Sequence, residues 1–186
     1  MSVDDIPGEI RDDFESSPVA LTLGAADGDH VLRLTNQRFR DLTGYAASDI
    51  LGQNCRFLQG ESRNEDARGQ IRQFLDDDRT ANVRTPIVNF RKDGRPFVNL
   101  LYMTKLRDQA GGLLYIFASQ FDVSRTQAGL LHDYDAQLDR TIGGLSPVLA
   151  ESGLVIEGSL LTIANAAATI AQAKLTLAQL DRGNLL

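Results

Sequence analysis

The chemistry of this 186-residue chain is concentrated in one string, Gly52-Gln-Asn-Cys-Arg-Phe-Leu-Gln59. Cys55 is its single cysteine, so it has no internal disulfide partner and cannot supply a cysteine-rich zinc site. A lone cysteine is commonly a small buried apolar residue. Asn54, Arg56 and Gln59 set this one apart. They crowd it with polar groups on a short, glycine-bounded turn of helix, company a structural thiol does not need. The arrangement suits a thiol held beside a bound polar ligand. His30 and His132 are too few and too far apart for a histidine-based metal site, so no metal is expected.

The surrounding pattern shows what must position these residues. Residues 19–24 and 31–35 read as strands around a polar turn. Short stretches broken by Gly44, Gly52 and Gly60 suit several short helices. Residues 65–78 carry Ile71, Phe74 and Leu75 at helical spacing. Strands are then predicted over 83–91, 95–107 and 112–123. Lys92-Asp-Gly94 joins the first two as a tight turn, because Gly tolerates positive φ. Two strands, helices and three more strands predict an α+β domain with a five-stranded antiparallel sheet and helices on one face. Beyond residue 123 the aromatic residues give way to Ala, Leu and Ile. A helix is expected up to Gly143-Gly144, a second one capped by Ser146 and Pro147, and an Ala-rich one over 159–181. The expected divisions are an N-terminal cap at 1–15, a globular domain at 16–124 and an α-helical extension at 125–186.

The string GQNCRFLQG resembles the signature of light-oxygen-voltage (LOV) domains, G-x-N-C-R-F-L-Q. Asn36, Phe39 and Thr43-Gly44-Tyr45 resemble the same family's N-x-x-F…T-G-Y segment. Ile71-Arg72 resembles its second phosphate arginine. Asn89 to Gly94 with Phe97 to Leu100 resembles its paired asparagine strands, and Ser119 to Val123 its last strand. The resemblance covers about residues 16–124.

The resemblance implies a PAS-type fold enclosing a flavin, FMN in the main with some FAD. Blue light would drive the Cys55 sulfur onto the isoalloxazine C4a, in a bond that later breaks thermally. A free thiol is mostly protonated at neutral pH and therefore quiet in the dark. No triad or base is required, and none is visible. Asn89, Asn99 and Gln120 would meet the ring edge, since each amide carries both a donor and an acceptor. Gln59 would reach the ribityl chain or the ring edge, with Asn54 nearby. Arg56 and Arg72 would grip the terminal phosphate. Thr22, Leu58, Leu101, Phe117 and Ala20 would help wall the ring. Arg33 and Thr35 make the second strand more polar than expected, the mark of an unusual edge.

The formal charge is -6, with no basic run that would mark a nucleic-acid or anionic-lipid partner. The N-terminus is acidic and lacks the apolar core of a signal peptide. No apolar stretch approaches the ~18 residues of a membrane span. A cytoplasmic location is expected. Ile156, Ile163, Ile170 and Leu177 recur at heptad spacing, which predicts a homodimer through the C-terminal helices. The competing arrangement packs that stripe on Leu131, Leu138 and Ile142. A downstream protein partner is expected, and enzyme activity is not, since no dinucleotide fingerprint occurs. The alternatives are a PAS-type flavin redox sensor and the sensor fragment of a light-regulated signalling kinase. The first has no need of Cys55. For the second, His132-Asp133 faintly resembles a phosphoacceptor site.

Overall fold

Antiparallel strands dominate the computed structural model, which describes residues 6–124 and 128–157. The sheet contains β1 (Ala20–Ala25), β2 (Leu32–Thr35), β3 (Asn82–Phe90), β4 (Pro96–Asp108) and β5 (Leu113–Asp122). Their order is β2-β1-β5-β4-β3, so the first and last of the five are hydrogen-bonded neighbours. The Asp-Gly turn joins β3 to β4 as the sequence predicts. Gly94 sits at φ 84°, and Arg91 N–H donates to Arg95 O at 2.9 Å. β2 is a four-residue edge strand, which accommodates the half-buried Arg33, whereas Thr35 is buried.

Between β2 and β3 lie α2 (Gln37–Thr43), α3 (Ala47–Ile50), a 3-10 turn (Cys55–Gln59) and α4 (Glu65–Asp76). Asn36 starts α2 and ties it to the sheet. Its Oδ1 accepts from Phe39 N–H at 3.0 Å and from Leu21 N–H at 2.9 Å, while its Nδ2 donates to Val19 O at 2.7 Å. These helices cover one face of the sheet through Phe39, Ile50, Leu58 and Phe74.

The opposite face is covered as well, which the sequence reading did not anticipate. There α1 (Gly8–Ser16) and α5 (Ala128–Glu151) enclose the larger core. Ile10 and Phe14 from α1, and Tyr134, Leu138, Leu145 and Leu149 from α5, pack on Leu21, Leu23, Tyr102 and Phe117. The residue types explain it: a strand alternating apolar side chains on both faces must bury both.

The structure corrects the tail in two places. No break occurs at Gly143-Gly144, and Ser146-Pro147 does not start a helix; α5 runs through both, with Pro147 inside it. Two glycines and a proline cost about 5 kcal/mol of helix propensity in total. Burying Tyr134, Leu138, Leu145 and Leu149 offsets this at roughly 1.5–3 kcal/mol each. Gly153 (φ 75°) then turns the chain, and a short β6 (Leu154–Ile156) pairs antiparallel with β4. Ile156 lies opposite Leu106 in that pairing, so it does not begin a helical seam. Leu138 is buried against the sheet, with Leu131 and Ile142 packed against the same core. Ile163, Ile170, Leu177 and the expected helix over 159–181 lie outside the described residues.

Candidate functional site

Strand parity selects the side chains that face the α2–α4 layer. Asn89 and Ile87 project from β3, Asn99, Leu101 and Met103 from β4, Gln120, Ala118 and Ile116 from β5, and Thr22 from β1. Facing them are Asn54, Cys55, Arg56, Leu58 and Gln59 of the 3-10 segment, with Ile71 and Leu75 of α4. Together they line a cavity that opens to solvent between the sheet and the helical layer.

The 3-10 turn presents Cys55 because both of its ends are fixed. Asn54 caps it, with Oδ1 accepting from Arg56 N–H at 2.9 Å, while Nδ2 donates to Asp29 O. Leu32 N–H donates to Gln53 O at 2.8 Å, stitching the preceding residues to β2. Gly60 leaves the turn at φ 51°, where an added Cβ would lie 2.8 Å from the Phe90 ring. Leu58 anchors the turn in the core with Leu32, Phe39 and Ile50. Cys55 itself is half-buried. Desolvation pushes its thiol up to about 12, so it keeps its proton throughout the neutral range.

Opposite the thiol stands a row of buried amides. Asn99 Nδ2 donates to Asn89 Oδ1 at 2.9 Å across the β3–β4 pair. Asn99 Oδ1 accepts from Phe121 N–H at 3.2 Å. Gln120 Nε2 donates to Thr22 Oγ1 at 3.2 Å, but Gln120 Oε1 is buried with no hydrogen-bond partner among the described residues. A buried acceptor left in this way costs about 1–3 kcal/mol. Such an orphan in the lining of an apolar-walled cavity is an acceptor that a bound polar ligand or a water would satisfy. The site therefore combines a protonated thiol, amides offering both donors and acceptors, and largely aliphatic walls.

Three expected residues, Phe117, Arg72 and Ala20, stand outside the lining. Phe117 belongs to the opposite face, where it meets Phe14 edge-on at 6.2 Å. It lies an odd number of positions from Gln120, and a strand puts such pairs on opposite faces. Arg72 is exposed on α4 and does not line the cavity, although its neighbour Ile71 does. Arg56 lines the cavity with its guanidinium paired to Asp29. Ala20 packs under the α2–α3 layer with Phe39 and Leu58 rather than in the lining. Ile87, Met103, Ile116 and Ala118 were missed, although counting in twos from Asn89, Asn99 and Gln120 finds each of them. His30 also lines the cavity from a turn at φ 51°, and no periodicity announces it.

The PAS-domain profile matches residues 18–125, and the chain belongs to the PAS-domain family. Its relatives narrow the class. The blue-light-activated histidine kinase of Rhizobium johnstonii is 40% identical over 91 residues, 49% of this chain and 26% of that protein. Blue-light-activated histidine kinase 1 of Erythrobacter litoralis is 35% identical over 119 residues, 61% of this chain and 32% of that protein. The chain thus spans about a quarter to a third of the length of these two relatives. The crystal structure of the Rhodobacter sphaeroides LOV protein superposes with a TM-score of 0.64 at 28% identity, covering 98% of this chain and 97% of that one. This PAS domain is a LOV-type blue-light sensor.

Proposed function

We propose that the chain is a blue-light photoreceptor that holds a flavin, chiefly FMN, in the cavity between the amide row and the 3-10 turn, with Cys55 as its photoreactive thiol. One observation carries this reading: Cys55 and the buried amides Asn89, Asn99 and Gln120 line the same cavity, and Gln120 Oε1 has no partner there. A flavin ring edge supplies the donors and acceptors that such a row needs. A bound flavin would supply the blue-light absorption and an electrophilic ring carbon, C4a, for the sulfur of Cys55, the thiol proton passing to the adjacent ring nitrogen and returning when the bond breaks.

The chain's own residues do the rest. Burial keeps Cys55 protonated and unreactive in the dark. Asn89, Asn99 and Gln120 orient the ring edge, and Leu58, Leu101 and Thr22 wall it, with Asn54 and Gln59 beside the thiol. Arg56, and Arg72 after a change of rotamer, meet the terminal phosphate. Their exposure leaves room for the longer FAD as a minor occupant. Gln120 answers a change from acceptor to donor at the ring edge by presenting its other end.

The output in this reading is structural. It passes to α5 and to the C-terminal helices, through rearrangement of a homodimer and then a downstream protein, with no reaction catalysed and no nucleic acid bound. Among the described residues no helix is long and apolar enough to cross a membrane, and we place the sensor in the cytoplasm. A light-regulated kinase that uses this domain as its sensor is the second reading, favoured by the two kinase relatives. A redox sensor gives no role to Cys55.

An absorption spectrum before and after blue light tests the proposal, together with mass spectrometry of the released flavin. A yellow protein that bleaches and recovers is expected, with FMN predominant. Cys55→Ala should keep the flavin and lose the bleaching. Normal bleaching in that variant overturns the assignment.

A further inference from the structure

Parity makes β5 two-sided. Gln120 points into the cavity, while its neighbours Ser119 and Phe121 point to the other face, where α5 lies. Both of them end on the same residue of that helix. Ser119 Oγ and Tyr134 Oη are 2.7 Å apart, fully buried. The Phe121 and Tyr134 rings stack with centroids 4.2 Å apart and planes inclined by 11°. The cavity also reaches Phe121 directly, because the Asn99 side chain accepts from its backbone N–H. Arg84 of β3 lies over the Tyr134 ring, 5.9 Å from its centroid, and pairs with Asp135.

We propose that Tyr134 is the positioning residue through which α5 reads the cavity, across the thickness of the sheet rather than along β5 to its end. The inference rests on the photoreceptor reading above. A rotation of the Gln120 or Asn99 amide shifts the backbone of residues 119–121. Ser119 and Phe121 carry that shift to the hydroxyl and the ring of Tyr134. The side chain responds as one rigid unit, since the bond fixes its tip and the stack fixes its plane. Burial pushes the Tyr134 hydroxyl well above its ordinary value, so it stays protonated and bonded across the working pH range.

Hydrogen–deuterium exchange of the full flavin-loaded chain, dark and lit, tests this on peptides spanning α5. In the unaltered protein, light should change exchange in the turns around Tyr134. Tyr134→Phe keeps the ring and removes the bond. It should raise dark exchange there by about threefold to tenfold, the effect of one hydrogen bond, and shrink the light–dark difference by at least about half. A purely structural tyrosine would raise both states equally and leave the difference intact, which overturns the proposal. So does an unaltered protein whose α5 exchange ignores light. Ser119→Ala removes the same bond from the strand side and should reproduce the result, even if Tyr134→Phe fails to fold. Bleaching is recorded in the same samples. Its loss in the unaltered protein would condemn the photoreceptor reading, whereas bleaching with an unaltered exchange difference in the variants condemns only Tyr134.

Discussion

Gln120 and Thr22 are joined across β1 and β5 by a 3.2 Å hydrogen bond that uses the amide nitrogen and leaves the amide oxygen unpartnered in the cavity wall. A protein free of ligand therefore carries a polar debt at this position. Gln120→Leu should change the stability of the flavin-free protein by no more than about 1 kcal/mol, because an orphaned acceptor disappears while buried Thr22 Oγ1 loses its donor. In the flavin-loaded protein the same change should preserve bleaching and mute the light response of α5. Thermal denaturation without flavin and hydrogen exchange with it measure the two halves separately.

Cys55 predicts a pH dependence. Its ordinary value is 9.0, and burial raises it to about 12. Above pH about 9 the unfolded chain releases the proton while the folded chain retains it, so stability is full below 9 and is lost as pH rises toward 12. Cys55→Ser should flatten that limb of the stability curve. Iodoacetamide labelling of the dark protein at pH 8 should also be slower than that of a free thiol, since the reacting species is the thiolate. Labelling at the free-thiol rate would refute the burial argument.

Arg56 and Arg72 are expected to divide the work of phosphate retention unequally. Arg56 already lines the cavity, while Arg72 must swing in from the exposed side of α4. Arg56→Ala should weaken FMN retention about tenfold, a loss of one charge-assisted bond, and Arg72→Ala should weaken it less. Riboflavin, which lacks the phosphate, should bind the three proteins alike. Titration by flavin fluorescence compares them.

The pair Arg84–Asp135 joins β3 to α5, with the Arg84 side chain 3% exposed and Asp135 41% exposed. Asp135→Ala strands a buried guanidinium. The cost should be about 1–3 kcal/mol, below that of a fully buried pair because water already reaches Asp135. Urea denaturation should show the loss, with the Cys55 photochemistry retained on the far face of the sheet.

Gly60→Ala should be more damaging than its size suggests. The residue adopts φ 51°, and a Cβ would press to 2.8 Å from the Phe90 ring. A loss of at least about 1 kcal/mol follows from the backbone alone. Because Gly60 closes the turn that begins at Cys55, the variant should also alter adduct lifetime, measured by recovery of the absorption band in the dark.

Much of this was legible in the sequence wherever the governing rule is local. The strands and the Lys92–Gly94 turn follow from alternation and from Gly, whereas the capping role of Asn54 emerged only from the structure. The amide row was legible through the resemblance, and strand parity then accounts for it by placing Asn89, Asn99 and Gln120 on one face. Phe117 was misplaced by neglecting the same parity, and Ile87, Met103 and Ile116 were missed for that reason. The course of α5 was not legible. Gly143, Gly144 and Pro147 are local instructions to stop, and only the sheet surface under Leu145 and Leu149 overrules them. The second covering layer likewise depends on contacts between residues more than a hundred positions apart, such as Ser17 and Thr141, which no local window contains.

The short strand β6 changes what kind of motion is open to the tail. Val123 N–H donates to Val98 O at 2.9 Å, and Ser124 Oγ accepts from Val98 N–H at 2.8 Å, just before α5. Just after it, Leu154–Ile156 is hydrogen-bonded to the edge of β4. The helix is thus a shaft mounted in two bearings, both on the same sheet. It is not built to swing outward like an arm on a single hinge. Turning about its own axis, or sliding by a fraction of a helical turn, moves Tyr134 while both mounts hold. Pro147, which removes one backbone donor near the second bearing, is the place where such a shaft would flex. Any motion of α5 that keeps both attachments must therefore be a turn or a slide along its own axis.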